Sequence, residues 1–229
     1  MAERLTVSMA TPRLDRAFSP ADLAAVEAAV HQVETRSPGE IVPYAVERSD
    51  GYTEAAWTAA TLGALLGALA SAALHAALGG WLEEPALWAA GPPAAGATLG
   101  YLVAAVWPML RVRLTPAHLV AHRVHQRAAA AFLEQEVFRT RSRTGILIFV
   151  SLLERRVVVL ADAGINARVA QAEWEAIVAD VVLGMRKGEP GPTLAAAIRR
   201  SGDLLAAHGL ARGADDRDEL PDQLQRRRE

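Results

Sequence analysis

Two stretches of this chain carry no aspartate, glutamate, lysine or arginine, and they lie back to back in its middle. They run from Ala55 to Leu82 and from Pro85 to Leu110, parted only by Glu83 and Glu84. A bilayer core about 30 Å thick is crossed by roughly 20 helical residues at about 1.5 Å rise each. Each stretch meets that length, so the chain reads as a transmembrane helical hairpin, residues 55–110, set into a water-soluble domain.

The rival reading is a pair of helices buried in a soluble core. A chain of 229 residues offers too little other structure to wrap two such helices. The tryptophans also fall where a membrane interface places them. Trp57 and Trp107 mark the outer ends of the spans, and Trp81 and Trp88 flank the connecting turn. Gly91-Pro92-Pro93 would break a helix interior but is tolerated in a first turn. The second span is therefore expected to start there, with Gly79 to Gly91 as the turn.

Small residues recur every fourth position within the spans: Gly63, Gly67 and Ser71 in the first, Gly96, Gly100 and Ala104 in the second. Such faces let helix backbones approach closely in lipid. Packing of the two spans on each other is the simpler use of these faces, and a homodimer seam is the alternative. His75 continues the first stripe and reads as an interfacial histidine as readily as a functional one.

Basic residues set the orientation. Arg36 and Arg48 precede the hairpin, Arg111, Arg113, Arg123 and Arg127 follow it, and the turn has none. Positive residues remain cytoplasmic, so both termini are expected inside. A basic set of arginines with Lys187 the sole lysine, together with abundant alanine, points to a GC-rich bacterium and hence to its cytoplasmic membrane. The lack of cysteine agrees with a reducing compartment.

The flanks alternate helix and strand. Ser19-Pro20-Ala21-Asp22 is a helix start, with a serine cap and proline at the first position. Leu23, Val26, Val30 and Val33 follow at helical spacing, and Ser37-Pro38-Gly39 ends the run. Glu40 to Glu47 reads as a strand. Pro43 bars it from a central place unless its missing donor faces no neighbour. Thr115-Pro116 opens a long helix. Ile146 to Val150 and Val157 to Leu160 form an antiparallel pair across the charged turn Glu154-Arg155-Arg156. Trp174, Ile177, Val178, Val181 and Met185 make a helical stripe, and Pro192-Thr193 starts a last helix that stops at Gly209.

Neither flank holds enough apolar surface to fold alone. The first strand is expected to join the later pair, giving one α/β domain split by the hairpin. Its parts are residues 18–54 and 111–210, with an N-terminal extension at 1–17 and a mobile charged tail at 211–229.

Ser37-Pro38-Gly39-Glu40 with its strand, Arg143-Thr144-Gly145-Ile146-Leu147-Ile148, and Glu154-Arg155-Arg156 running on to Asp162 resemble the TPM domain family of thylakoid-lumen proteins and receptor modulators. The likeness covers residues 18–50 and 128–209 and is nearest to bacterial members with a transmembrane pair inside the domain. It implies an α/β/α sandwich with a small mixed sheet. Some members are acid phosphatases and some bind calcium through acidic residues at sheet ends. The phosphatase type follows its last strand with a glycine-rich turn and further carboxylates. This chain has Ala163-Gly164-Ile165-Asn166-Ala167-Arg168 there.

Glu47, Asp50, Glu154 and Asp162 are the carboxylates that a sheet end could gather. Calcium, the hard cation they would suit, wants six to eight oxygens. On spacing alone they read as solvated turn acids. Arg143, Arg155 and Arg156 would suit a phosphate or lipid headgroup, or simply keep a turn wet. His118, His122 and His125 share one helix face, without the glutamate or cysteine that a zinc site would add. A net charge of −2 and the lack of a basic stripe with interleaved aromatics give nucleic-acid binding no support. Two functions remain: a noncatalytic module that binds another membrane protein, and a metal-dependent phosphomonoesterase at the membrane face. The thin acidic set favours the first.

Overall fold

The computed structural model describes residues 12–37, 39–78, 85–140, 143–209 and 222–227, so Pro38, Trp81, Glu83 and Glu84 lie outside the described residues. In chain order the elements are α1 (Pro12–Ala17), α2 (Pro20–Glu34), β1 (Glu40–Val46), α3 (Thr53–Ala77), α4 (Pro85–Val106), α5 (Pro108–Leu114), α6 (Ala117–Glu134), β2 (Gly145–Ser151), β3 (Arg156–Ala161), α7 (Ala163–Asn166), α8 (Gln171–Lys187), α9 (Pro190–Ala207) and β4 (Gln225–Arg227). Two units result: Met1–Ser49 with Ala121–Glu229, and Asp50–Val120.

The first unit is built on a mixed sheet of order β3-β2-β1-β4. β1 runs parallel to both β2 and β4, and β2 pairs antiparallel with β3. Ser19 starts α2 as the capping motif requires: its hydroxyl accepts the Asp22 N–H at 3.2 Å while the Asp22 carboxylate accepts the Ser19 N–H at 2.9 Å. Ile41, Ala45, Ile146, Ile148 and Val150 project from one face of the sheet into a core with Val26 and Val30 of α2, Trp174 and Ile177 of α8, and Leu194 and Ile198 of α9. On the other face the Tyr44 and Phe149 rings stack with centroids 5.8 Å apart. Arg127 of α6 lies 5.5 Å over the Tyr44 ring and donates to its hydroxyl at 3.0 Å. The sheet is thus flanked by helices on both faces. β2 is buried at every position, as its unbroken apolar run requires.

β1 is a central strand in spite of Pro43. Glu40 donates its N–H to Thr144 and Val46 accepts from Leu152, so the even-numbered residues of β1 face β2. Pro43 therefore turns its donor-less nitrogen the other way, and β4 pairs only with Tyr44 to Val46. The missing N–H has no neighbour to disappoint.

The termini depart from expectation. Leu14 of α1 is 1% exposed and packs with Phe18 in the core, so residues 12–17 belong to the domain rather than to an extension; residues 1–11 lie outside the described residues. In the tail, taken as mobile over 211–229, residues 225–227 form β4; residues 211–221 and 228–229 lie outside the described residues. Leu224 joins the core, Arg226 pairs with Asp15 at 2.9 Å and Arg227 with Glu134 at 2.5 Å. A single apolar residue among charges leaves no periodic signal, yet it suffices when each neighbouring charge finds a partner.

Glu34, at the end of α2, is 4% exposed and accepts the Ile41 N–H at 3.0 Å. Burial, with Glu40 and Asp222 adding to it, pushes its carboxyl up to about 9. At neutral pH Glu34 therefore carries a proton and hydrogen-bonds the Asp222 side chain at the foot of β4.

The second unit is the hairpin. α3 and α4 are both long and apolar enough to cross a bilayer. Buried core helices would hide their leucines. Here Leu65, Leu66 and Leu69 of α3 and Leu87 and Leu99 of α4 are all exposed. The helices meet through their small residues. A methyl group added to Gly63 would overlap the Gly96 carbonyl, and one on Gly100 would overlap the Ala59 carbonyl. Gly67 similarly lies against the carbonyl of Pro92.

α4 does not wait for Gly91-Pro92-Pro93 but begins at Pro85 and runs through both prolines. An interior proline deprives the carbonyl four residues back of its donor. For Pro92 that carbonyl belongs to Trp88, and the Ser71 hydroxyl of α3 donates to it at 2.5 Å. A hydroxyl on the neighbouring helix thus repairs the break, as helices in lipid allow. At the far end Arg111 donates to the carbonyls of Ala104, Ala105 and Gly51, tying the chain's entry to its exit.

Two outcomes follow from these contacts. Gly63→Leu should lower the detergent-solubilised protein's unfolding midpoint, at an overpacking cost of roughly 1–3 kcal/mol. Leu66→Phe, on the exposed side, should leave it unchanged. The Glu34 carboxyl titrates at about 9 when folded against 4.5 in the reference state. Its stabilisation is therefore complete at low pH and is lost as pH rises toward 9. Glu34→Gln should flatten that decline and stabilise the protein at pH 8 by roughly 1–3 kcal/mol, measured by chemical denaturation at several pH values.

Candidate functional site: a recess along the free edge of the sheet

The carboxylates singled out by sequence are not assembled into one site. Glu154 is 9% exposed, and its carboxylate accepts the Ser49 N–H at 2.9 Å and the Ser151 hydroxyl. Ser49 and Ser151 are themselves joined through their hydroxyls at 2.8 Å. This trio clamps the end of β1 to the turn between β2 and β3. Glu47 belongs to the same end of the sheet, where its carbonyl accepts from Leu153. Asp162 lies at the opposite end of β3, capping α7 through the Ala163 N–H at 2.7 Å and pairing with Arg143 at 2.9 Å. A strand of this length separates Asp162 from Glu154 by roughly 20 Å at about 3.3 Å per residue. Asp50 belongs to the hairpin unit and accepts the Tyr52 N–H at 2.7 Å.

His118, His122 and His125 are exposed on α6. Among the described residues no group of three or more histidine or acidic side chains converges to hold a metal. The carboxylates of the sheet do not fit a calcium ion, whose six to eight oxygens must come from one place.

What the topology does create is an open recess beside β3, the edge strand. α6 contributes His125 to its wall and α8 contributes Trp174 and Val178; the floor is Val157 to Ala161. This part measures about 420 Å3. It continues past His125 and Val178 into a wider part of about 840 Å3, edged by Arg155, Arg156 and Arg186.

The outer backbone groups of β3 face this recess, and a buried indole lines it. The Asp162 N–H donates to Gly145 at 2.9 Å, which fixes the alternation of the ladder: even-numbered residues of β3 bond β2. Val157 and Val159 consequently turn their N–H and C=O groups outward. The outward carbonyl of Ala161 is taken by the Asn166 side chain at 2.6 Å. Trp174 is only 2% exposed, and its indole N–H has no hydrogen-bond partner among the described residues. Arg155 holds φ at 51°, in the left-handed region that side chains usually avoid.

Sequence reasoning found Arg155 and Arg156 and placed Trp174 on a core stripe, but it missed the recess. The signal that would have exposed it is strand order. Nothing local to Val157 to Leu160 says whether a further strand follows.

No protein-family model matches the chain, and no curated protein matches it in sequence. Among solved structures the chain is similar to the NMR structure of the BA42 protein from the psychrophilic bacterium Bizionia argentinensis. The TM-score is 0.56 at 17% identity, over 91% of this chain and 94% of that one. At this identity the likeness is one of fold.

Glu154 is expected to act as a clamp and not as a ligand. Glu154→Ala leaves buried donors of Ser49 and Ser151 without an acceptor, and should cost roughly 2–4 kcal/mol in denaturant unfolding. The loss should be the same with and without millimolar calcium, because a cation bound by the folded state alone would raise wild-type stability selectively.

Proposed function

We propose that this is an integral protein of the bacterial cytoplasmic membrane, with both termini cytoplasmic and a TPM-like domain that acts as a noncatalytic interaction module for another membrane protein. The exposed leucines of α3 and α4 support the membrane assignment. Arg48, Arg111 and Arg113 beside the open end of the hairpin support its orientation. The glycine faces of α3 and α4 are consumed by their contact with each other, which favours a different partner over a second copy of the hairpin.

The observation that carries the module reading is the recess beside β3. It offers unbonded backbone groups and a buried indole N–H, while Glu154 and Asp162 are each engaged in holding the fold. Arg155, Arg186 and His125 at the same recess give the phosphomonoesterase reading its one support, since they would suit a phosphoryl group. That chemistry also draws on a positioned cation or a tuned carboxylate, and the acids of the sheet are dispersed.

Both halves of the proposal are testable on one protein, because the natural chain has no cysteine to interfere. A cysteine at Ala86 should react with an impermeant thiol reagent applied to intact cells, whereas one at Glu27 should react only after lysis. Labelling of Glu27→Cys in intact cells would reverse the topology. The purified wild-type protein should hydrolyse generic phosphomonoesters no faster with calcium or magnesium than with chelator. Metal-dependent turnover that co-purifies with the chain would replace the module with an enzyme.

A further inference from the structure

We propose that the recess beside β3 takes an extended acidic segment of a partner protein, which adds to the sheet as a further strand. The proposal rests on the module reading above and specifies its mode of recognition.

Edge strands in soluble domains are normally guarded by bulges, prolines, inward charges or a covering loop, since unpaired N–H and C=O groups invite another strand. β3 shows none of these along its middle. Val157 and Val159 present both backbone groups outward, and Val158, Val159 and Leu160 are half-buried only. The outer side of β1 differs: there β4 pairs with its end, Glu34 takes the Ile41 N–H, and Pro43 has no N–H to offer. Among the described residues β3 has no comparable cover along its middle and lies between two helices.

The buried indole of Trp174 is the second, independent sign. An N–H removed from water without an acceptor costs on the order of 1–3 kcal/mol. Trp174 lines the recess and its indole N–H has no partner among the described residues, but that N–H is closed to solvent, so a carbonyl of an added strand would reach it only as the indole shifts.

The third sign is charge. The wider end of the recess carries Arg155 and Arg186 beside Arg156 and Glu154, and remains net positive, while Glu175 lines the narrower part. A strand with carboxylates at that end and β-branched residues over Val157 and Val159 matches both parts. A second copy of β3 would instead bring its own arginines to the same sheet edge.

The test uses the full chain in detergent and a synthetic blocked heptapeptide, Val-Thr-Val-Thr-Val-Asp-Asp, with its reverse to cover both strand directions. Binding of either should slow hydrogen exchange at the Val157 and Val159 amides and shift the Trp174 indole N–H resonance. Aspartate-to-lysine versions of the peptide should bind at least 10-fold more weakly. The charge-reversed protein R155E/R186E should lose the acidic peptide to a similar extent and regain binding to the lysine version. N-methylation of alternate peptide amides on the side facing β3 should abolish protection.

Binding that survives N-methylation, or that leaves Val157 and Val159 exchanging freely, would overturn strand addition. So would concentration-dependent protection of these amides without peptide, which would make a second copy the occupant. Arginine-dependent binding to phosphatidylserine vesicles without protection of β3 would assign the cluster to lipid and equally overturn it. If a membrane partner associates regardless of R155E/R186E, this inference fails and the module reading stands. If neither peptide nor partner binds, both fail.

Discussion

The parallel pairing of β1 with β2 is the constraint on which the remaining structure depends. Antiparallel strands can be joined by a turn, but parallel strands need a crossover. Here the crossover is the whole of α3 to α6. The two strands meet in register from Glu40 with Gly145 to Val46 with Ser151, across about a hundred intervening residues. Closing so long a loop is costly for a flexible chain, although the cost rises only logarithmically with length. The hairpin reduces it further by returning to its starting point: Arg111 bonds Gly51, so the entry and exit of the insertion are held together within the insertion itself. An antiparallel helical pair is therefore an inexpensive insertion at this point of the fold.

That economy depends on how closely α3 and α4 approach. For helices apolar enough to cross a bilayer, lipid would offer no hydrophobic drive to associate, and pairing would rely on van der Waals contact and hydrogen bonds. Gly63 against Gly96, Gly100 against Ala59 and Ser71 on the Trp88 carbonyl supply both. The same serine makes a proline-containing helix admissible. The features that looked separate in sequence, a small-residue stripe and a helix-breaking Gly-Pro-Pro, are two sides of one seam.

The starts of α2 and α6, the buried strand β2, the β2–β3 hairpin and the two long apolar helices were legible in the sequence, because each is declared by local chemistry: caps, periodicity, absence of charge. Three things were not. The start of α4 was misplaced because the donor that rescues Trp88 lies on another helix. β4 was hidden because the strand is Gln-Arg-Arg with only Leu224 beside it to enter the core, and its ion pairs reach back to Asp15 and Glu134. Glu47, Asp50, Glu154 and Asp162 were grouped at a sheet end, although Arg156 to Ala161 sets Glu154 and Asp162 at opposite ends. In the first two cases the deciding partner is remote in sequence; in the third the strand read between the two acids already separates them.

The two edges of the sheet are treated so differently that the difference itself is informative. The outer side of β1 is met by a protonated glutamate in a place where its charge would be costly, a proline, and a returning strand whose Arg226 and Arg227 pair with Asp15 and Glu134. These are devices with a stability cost, and Glu34 makes part of that cost depend on pH. A chain that spends this much on one edge has the means to cover the other. α7 already turns back beside β3, and Asn166 reaches the Ala161 carbonyl. The covering stops one residue pair short, leaving the outward backbone groups of Val159 and Val157 unbonded among the described residues and a left-handed arginine at the rim. The open stretch of β3 is where the proposed strand would add, and its outward N–H and C=O groups are what such an occupant would satisfy.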